Sequence, residues 1–200
     1  MWYFIGWVFF LIFFKAYLNL KVIGRENIPK KGAFIFASNH SSYLDPIILG
    51  VSVYRSLNYM AQEDLFTRPF LGWALRKVHS FPVRREENDF RAVRQALNKL
   101  SEGKPLVIFP EGMRSKDGSL KRAKPGIGFI AAKAKVPVVP AYIKGAFDAL
   151  PKGVSTLRRR PVTIHIGKPI SVDNAHSGTK DKDAYQKISD AIMHRITELS

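Results

Sequence analysis

Apolar runs of strand length alternate along this chain with stretches whose apolar residues recur at helical spacing. The runs at 20–24, 33–37, 57–61, 81–83, 105–109, 136–143 and 162–166 read as strands. Asp45 followed by Pro46 predicts a helix start, an N-cap carboxylate ahead of a proline in the first helical position. A second helix is expected with Thr67 as its cap and Pro69 inside its first turn. There Phe66, Phe70 and Trp73 fall at i, i+4 and i+7, a stripe that reads as core rather than as a lipid-binding face. A third helix is expected with Asn88 as cap, Phe90, Val93, Leu97 and Leu100 inward, Arg91, Arg94 and Lys99 outward, and Gly103 closing it. A fourth runs from 126 to 135, and the last puts Tyr185, Ile188, Ile192, Ile196 and Leu199 on one face. Strands alternating with helices predict a single α/β domain over residues 20–200, a mostly parallel sheet flanked by helices.

The first 14 residues depart from that alternation: they carry no charge, one glycine and six phenylalanine or tyrosine residues, and Lys15 ends the run. Extended to Leu18, the apolar stretch stays a little short of the ~20 residues a spanning helix needs. Trp2, Tyr3, Trp7 and Tyr17 are residue types that favour a bilayer interface. The positive leader and small-residue cleavage site of a signal peptide are both missing. Residues 1–19 are therefore expected to form an uncleaved membrane-associated helix that dips into one leaflet. A single tilted span is the alternative, and a buried core helix is a third reading, one that needs a partner surface for an all-round apolar helix.

Composition narrows the classes. With 46% hydrophobic and 24% charged residues the chain is globular, and a net charge of +16 implies an anionic partner: nucleic acid, an anionic membrane face or phosphorylated substrates. The chain has no cysteine, which excludes disulfides, thiolate catalysis and thiolate metal sites. Nucleic acid is not expected: no binding motif is present, the cations are not interleaved with exposed aromatics, and such a protein has no use for the apolar terminus. His79, His165, His176 and His194 form no spaced cluster, so no metal is expected. Gly126 to Ala131 matches the dinucleotide pattern G-x-G-x-x-A, but no strand precedes it, so it reads as the start of a helix.

Two stretches carry chemistry. Asn39-His40-Ser41-Ser42-Tyr43-Leu44-Asp45 lies on the loop between a strand and a helix. A carboxylate on one imidazole nitrogen fixes the tautomer and leaves the other nitrogen to take a proton from a hydroxyl. Taken alone, the pair reads first as a loop histidine packed on a capping Asp. Phe109-Pro110-Glu111-Gly112-Met113-Arg114-Ser115 follows another strand, and Arg84-Arg85 a third. In open α/β sheets, catalytic loops gather at the carboxyl ends of strands, so the three blocks are expected to converge on one cleft.

Asn-His-x4-Asp together with Phe-Pro-Glu-Gly-x-Arg-Ser resembles the glycerolipid acyltransferase family, in particular its bacterial 1-acyl-glycerol-3-phosphate acyltransferases. The resemblance extends to Phe81-Pro82-Val83-Arg84-Arg85 and Val138-Val139-Pro140-Ala141, and the four blocks stand in the family's order. Met113 stands where threonine is commoner, Ser80 where glycine is frequent, and Arg84 at an often acidic position. The resemblance implies acyl transfer from a thioester, acyl-CoA or acyl-acyl carrier protein as co-substrate, to the sn-2 hydroxyl of lysophosphatidic acid. His40 would be the base, oriented by Asp45. Substrate would be bound by Arg85 and by Glu111, Gly112, Arg114 and Ser115 of the third block, with Lys121 and Lys124 as further cations for the phosphate. No cofactor is implied beyond the thioester. Backbone N–H groups near Glu111 would hold the oxyanion. Membrane lipids are the expected partners and the cytoplasmic face of the cell inner membrane the expected location. Other acceptors remain open (glycerol 3-phosphate, a lysophospholipid, a lipid A precursor), as do a thioesterase-like hydrolase and a non-enzymatic basic lipid binder.

Overall fold

The computed structural model describes residues 2–84, 89–172 and 182–200, with side chains in the first helix from residue 6 onward. In chain order the elements are α1 (Trp2–Leu18), β1 (Lys21–Ile23), β2 (Ile35–Ser38), α2 (Asp45–Ser52), β3 (Asn58–Gln62), α3 (Pro69–Lys77), β4 (Ser80–Val83), α4 (Phe90–Ser101), β5 (Leu106–Ile108), α5 (Pro125–Ala134), β6 (Val138–Lys144), α6 (Ala146–Ala149), β7 (Thr163–Ile166) and α7 (Lys182–Thr197).

The strands form one seven-stranded sheet in the order β1-β7-β6-β2-β5-β3-β4. Pairing is parallel throughout except between β6 and β7, so β7 and β1 run against the rest. The near-continuous apolar runs are what a sheet covered on both faces demands. Alternation splits β2 between two cores: Phe34 and Phe36 join a cluster with α1 and α2, while Ile35 and Ala37 join one with α4, α5 and α7. The fourth sequence block is β6 itself, buried between β2 and β7, with Pro140 opposite Ala37 in the parallel register. It builds the sheet's centre and lies off the catalytic loops.

Helix α1 shares in this core. Phe14 and Leu18 are buried, and the Trp7 indole N–H donates to the carbonyls of Gly50 (3.1 Å) and Val53 (2.9 Å), satisfying open groups at the end of α2. Phe9 and Ile12 face outward, 62% and 63% exposed. No helix among the described residues is long and apolar enough to cross a membrane.

Local expectations about helix starts need correction. Leu44, not Asp45, occupies the cap position of α2, because the Asp45 carboxylate turns back onto the preceding loop. Arg68 precedes α3, and the Thr67 hydroxyl instead closes the turn before it by donating to the Asp64 carbonyl. Asp89 caps α4 by accepting from the N–H groups of Arg91 and Ala92, which leaves Phe90 outside at 79% exposure and turns Ala92, Ala96 and Leu100 inward. Asn88 lies outside the described residues. The stripe of Phe70 and Trp73 is not core: both are exposed, and Gly72 is the buried residue of α3.

The glycine-rich stretch at 126–131 has a packing role. Helices α5 and α7 cross closely at Gly128, whose N–H donates to the Ser189 hydroxyl (3.0 Å). A Cβ at Gly128 would fall onto the Tyr185 carbonyl oxygen and within 2.7 Å of Ser189 Oγ, both fixed by α7. Gly128→Ala is therefore expected to destabilise the protein by about 1–3 kcal/mol through overpacking, read by denaturant unfolding. An unchanged midpoint would show that α5 and α7 separate freely.

Candidate active site

Strands β2 and β5 are parallel neighbours, so the loops leaving their carboxyl ends meet. Residue 40 is held from both sides by the loop after β5. Its N–H donates to Glu111 Oε1 (2.9 Å), and its carbonyl accepts from the Ser115 N–H (2.7 Å). The residue before it is fixed from the other flank: the Asn39 side chain donates to the Ile143 carbonyl (3.0 Å) and accepts from the Ile143 N–H (2.8 Å) on β6. Backbone position at the histidine is thus set by three strands at once.

Side-chain orientation is set by Asp45. Its Oδ2 accepts from the N–H groups of Ser41 and Ser42, each at 2.7 Å, and lies 2.8 Å from His40 Nδ1. Five residues apart would not share a face on a regular helix; the loop folds back over the helix mouth and brings them together. With Oδ2 already accepting two backbone donors, Nδ1 is assigned the proton and Nε2 is left as the acceptor. Asp45 is fully buried and the His40 side chain is 16% exposed, so the dyad opens to substrate through the imidazole alone. Phe109 stacks on that ring at 3.9 Å and 14°, fixing its plane and covering one face with apolar surface.

Arg114 lies over the Tyr43 ring, 3.5 Å from guanidinium carbon to ring centroid. The phenol is held below its ordinary value by Arg114 first, with Lys152 and Arg68 adding to the effect. Lys124 runs across Gly112, and the Lys121 backbone N–H lies where it favours the charged form of Glu111. Glu111 therefore braces the catalytic loop and does not pair with Arg114. Ser115 is likewise structural here, its N–H spent on His40 and its hydroxyl on Asp117 (2.9 Å). The N–H of Gly112 is spent on the Phe109 carbonyl, so neither it nor that of Ser115 is open for an oxyanion.

Of the residues singled out in the sequence, His40, Asp45, Glu111, Gly112, Arg114, Ser115, Lys121 and Lys124 gather in this one region. Arg85 lies outside the described residues. Arg84 pairs with Glu63 (3.1 Å). Asn39, Tyr43 and Phe109 were missed as functional residues, although all three stand inside the two blocks. The signal available was position: Asn39 and Phe109 stand at strand ends beside His40 and before Glu111, and Tyr43 lies in the loop between His40 and Asp45. Among the described residues, the buried side-chain polar atoms without a hydrogen-bond partner are Asp45 Oδ1, Glu111 Oε2 and Arg114 Nη1, all in this site. Buried polar atoms normally find partners, so their concentration here sets this region apart from the rest of the described core.

A carboxylate-oriented imidazole in an open sheet's cleft, beside an arginine that no carboxylate neutralises among the described residues, is an arrangement suited to an enzyme that takes a proton from a hydroxyl near a negative charge. The acyltransferase family model matches residues 19–144, and the chain belongs to that family. A Bacillus subtilis protein named 1-acyl-sn-glycerol-3-phosphate acyltransferase is 35% identical over 184 residues, covering 90% of this chain and 88% of that protein. A chloroplastic protein of the same activity name from Arabidopsis thaliana is 32% identical over 158 residues, 77% of this chain but 44% of that longer protein. Among solved structures, the Thermotoga maritima 1-acyl-sn-glycerophosphate acyltransferase PlsC superposes with a TM-score of 0.73 at 29% identity, over 94% of this chain and 79% of that one.

Burial raises the Glu111 carboxyl from 4.5 to about 7, with Asp45 adding to the rise and the N–H donors of His40 and Lys121 opposing it. A folded value above the unfolded one means that stability is full below the ordinary carboxylate range and is lost as pH rises through about 7. The rise corresponds to about 3 kcal/mol. Glu111→Gln keeps an acceptor for the His40 N–H without the titration. Its stability relative to wild type is expected to grow by about that amount between pH 4 and pH 8 in denaturant unfolding. Parallel pH–stability curves would sink this account.

Proposed function

We propose that this acyltransferase moves a fatty acyl group from acyl-CoA or acyl-acyl carrier protein to the sn-2 hydroxyl of lysophosphatidic acid, giving phosphatidic acid for phospholipid synthesis. The observation that carries the reading is the His40–Asp45 pair, 2.8 Å apart, with Nε2 left as acceptor. It is joined by the activity named for the Bacillus subtilis relative.

In one direct transfer, His40 Nε2 takes the proton of the acceptor hydroxyl as its oxygen attacks the thioester carbonyl. Asp45 holds the imidazole in the required tautomer and stabilises the imidazolium that forms. The tetrahedral oxyanion collapses by breaking the carbon–sulfur bond, and the thiolate leaves with the proton His40 carried. Ser41 and Ser42 take no covalent part: the Ser42 hydroxyl donates to the Leu150 carbonyl (2.7 Å), and both N–H groups serve Asp45. Arg114 offers a planar donor fork to the acceptor phosphate, with Lys121 and Lys124 adding positive charge.

Both acceptor and product reside in a bilayer. The outward Phe9 and Ile12 of α1 suit a helix lying in one leaflet, against the domain, on the cytoplasmic face of the cell inner membrane. A net charge of +16 supports attraction to anionic lipid.

The test is acceptor-dependent transfer in mild detergent with each labelled donor. Wild type is expected to form phosphatidic acid from lysophosphatidic acid, and His40→Ala to lose on the order of 10²-fold or more. Equal product from both proteins would remove His40 as the base, and transfer only to a different acceptor would remove lysophosphatidic acid.

A further inference from the structure

Helix α3 presents an apolar face that nothing among the described residues covers. Phe70 is 90% exposed and Trp73 55%, three residues apart on one side, with Leu71 and Val78 beside them partly open. The helix seats itself through Gly72, where a Cβ would fall onto the Phe66 carbonyl oxygen. An exposed Phe–Trp stripe on a helix lying along the surface is the pattern of interfacial helices.

Charge supplies the second half of that pattern. Residues 66–78 contain Arg68, Arg76 and Lys77 and no acidic residue. Lys77 lies over the Trp73 ring and Arg76 over Phe66, so cations and aromatics are interleaved here, contrary to the sequence reading. The nearby Glu63 is engaged by Arg84 and Arg91 and does not neutralise the helix. Such a surface complements an anionic bilayer, where the rings enter the headgroup level and the cations meet lipid phosphates.

Position ties the face to the chemistry. Strand β3 delivers the chain to α3 at the same sheet edge that carries His40 and Glu111. The Arg68 cation, at the start of α3, reaches the field of Tyr43, which covers Arg114. Crossovers β2–α2–β3 and β3–α3–β4 run the same way across the sheet, so right-handed connections put α3 on the face that α2 and α1 occupy.

We propose that α3 is a docking element for an anionic bilayer surface, distinct from α1, that presses the mouth of the catalytic cleft against the leaflet holding its acceptor. The proposal rests on the reading of a bilayer-resident acceptor. Docking concentrates lipid at the mouth without contributing to the chemical step.

The experiment compares the full chain with Phe70→Ser/Trp73→Ser and, separately, with Arg76→Glu/Lys77→Glu, by sedimentation with vesicles of phosphatidylcholine alone or mixed with phosphatidylglycerol. The apolar double variant is expected to bind mixed vesicles about tenfold or more weakly, and the charge-reversed one to lose its preference for phosphatidylglycerol. Turnover on vesicle-embedded lysophosphatidic acid should fall in step. Turnover on a short-chain, monomerically dispersed acceptor should stay within about twofold, which also shows that the variants fold. Vesicle binding unchanged in both variants overturns the proposal. So does light scattering that shows a wild-type oligomer dissolved by Phe70→Ser/Trp73→Ser with vesicle binding intact, since the face would then join copies of the chain. A wild type that binds mixed vesicles but leaves lysophosphatidic acid untouched would instead overturn the acceptor reading and leave the docking surface standing.

Discussion

One carboxylate oxygen, Asp45 Oδ2, gathers the N–H groups of Ser41 and Ser42 and the imidazole of His40. The loop can turn back over the mouth of α2 only because that oxygen satisfies two backbone donors that would otherwise be buried without partners. Each such orphan costs about 1–3 kcal/mol. The third donor is the imidazole of the proposed base. Folding of the loop and selection of the histidine tautomer are therefore one event, and a substitution at Asp45 alters both. The second brace, from Glu111 to the His40 N–H, makes the loop after β5 a structural part of the base as well as a wall of the cleft.

This coupling explains what the sequence could and could not tell. That His40, Asp45, Glu111 and Arg114 would gather in one region was legible because their two blocks resemble one family's and because strands mark where loops must open. Their partnerships were less legible. Glu111 read as a group for the acceptor, yet its Oε1 serves a backbone N–H 71 positions away, a contact that only the parallel register of β2 and β5 creates. Asp45 read as a helix cap by local rule. Tertiary demand from Ser41, Ser42 and His40 outbid that rule for the same oxygen, leaving the cap position to Leu44.

The sheet was read well for the opposite reason. Strands buried on both faces need near-continuous apolar runs, and such runs stand out without knowledge of their neighbours. Helix faces were harder. In α4 the smaller Ala92 and Ala96 were taken inward with Leu100, and the larger Phe90, next to the Asp89 cap at the helix mouth, was left out. Periodicity gives the stripe but not what, if anything, it packs against, and in α3 the stripe faces away from the protein.

That outward stripe bears on how the site meets its substrate. The dyad exposes little beyond the imidazole, and the residues around its mouth include Tyr43 and Met113, each about half exposed, together with Arg114 and Arg68. A rim mixing apolar side chains with uncompensated cations suits an amphiphile whose chain stays in lipid while its phosphate and hydroxyl enter the cleft. A substrate arriving from water would have to cover that rim at each turnover, whereas a rim already seated on lipid keeps its apolar side chains out of water throughout. The same physical argument that makes an exposed Phe–Trp helix costly in solution would make it useful beside a cleft if its acceptor is drawn from a bilayer, as proposed above.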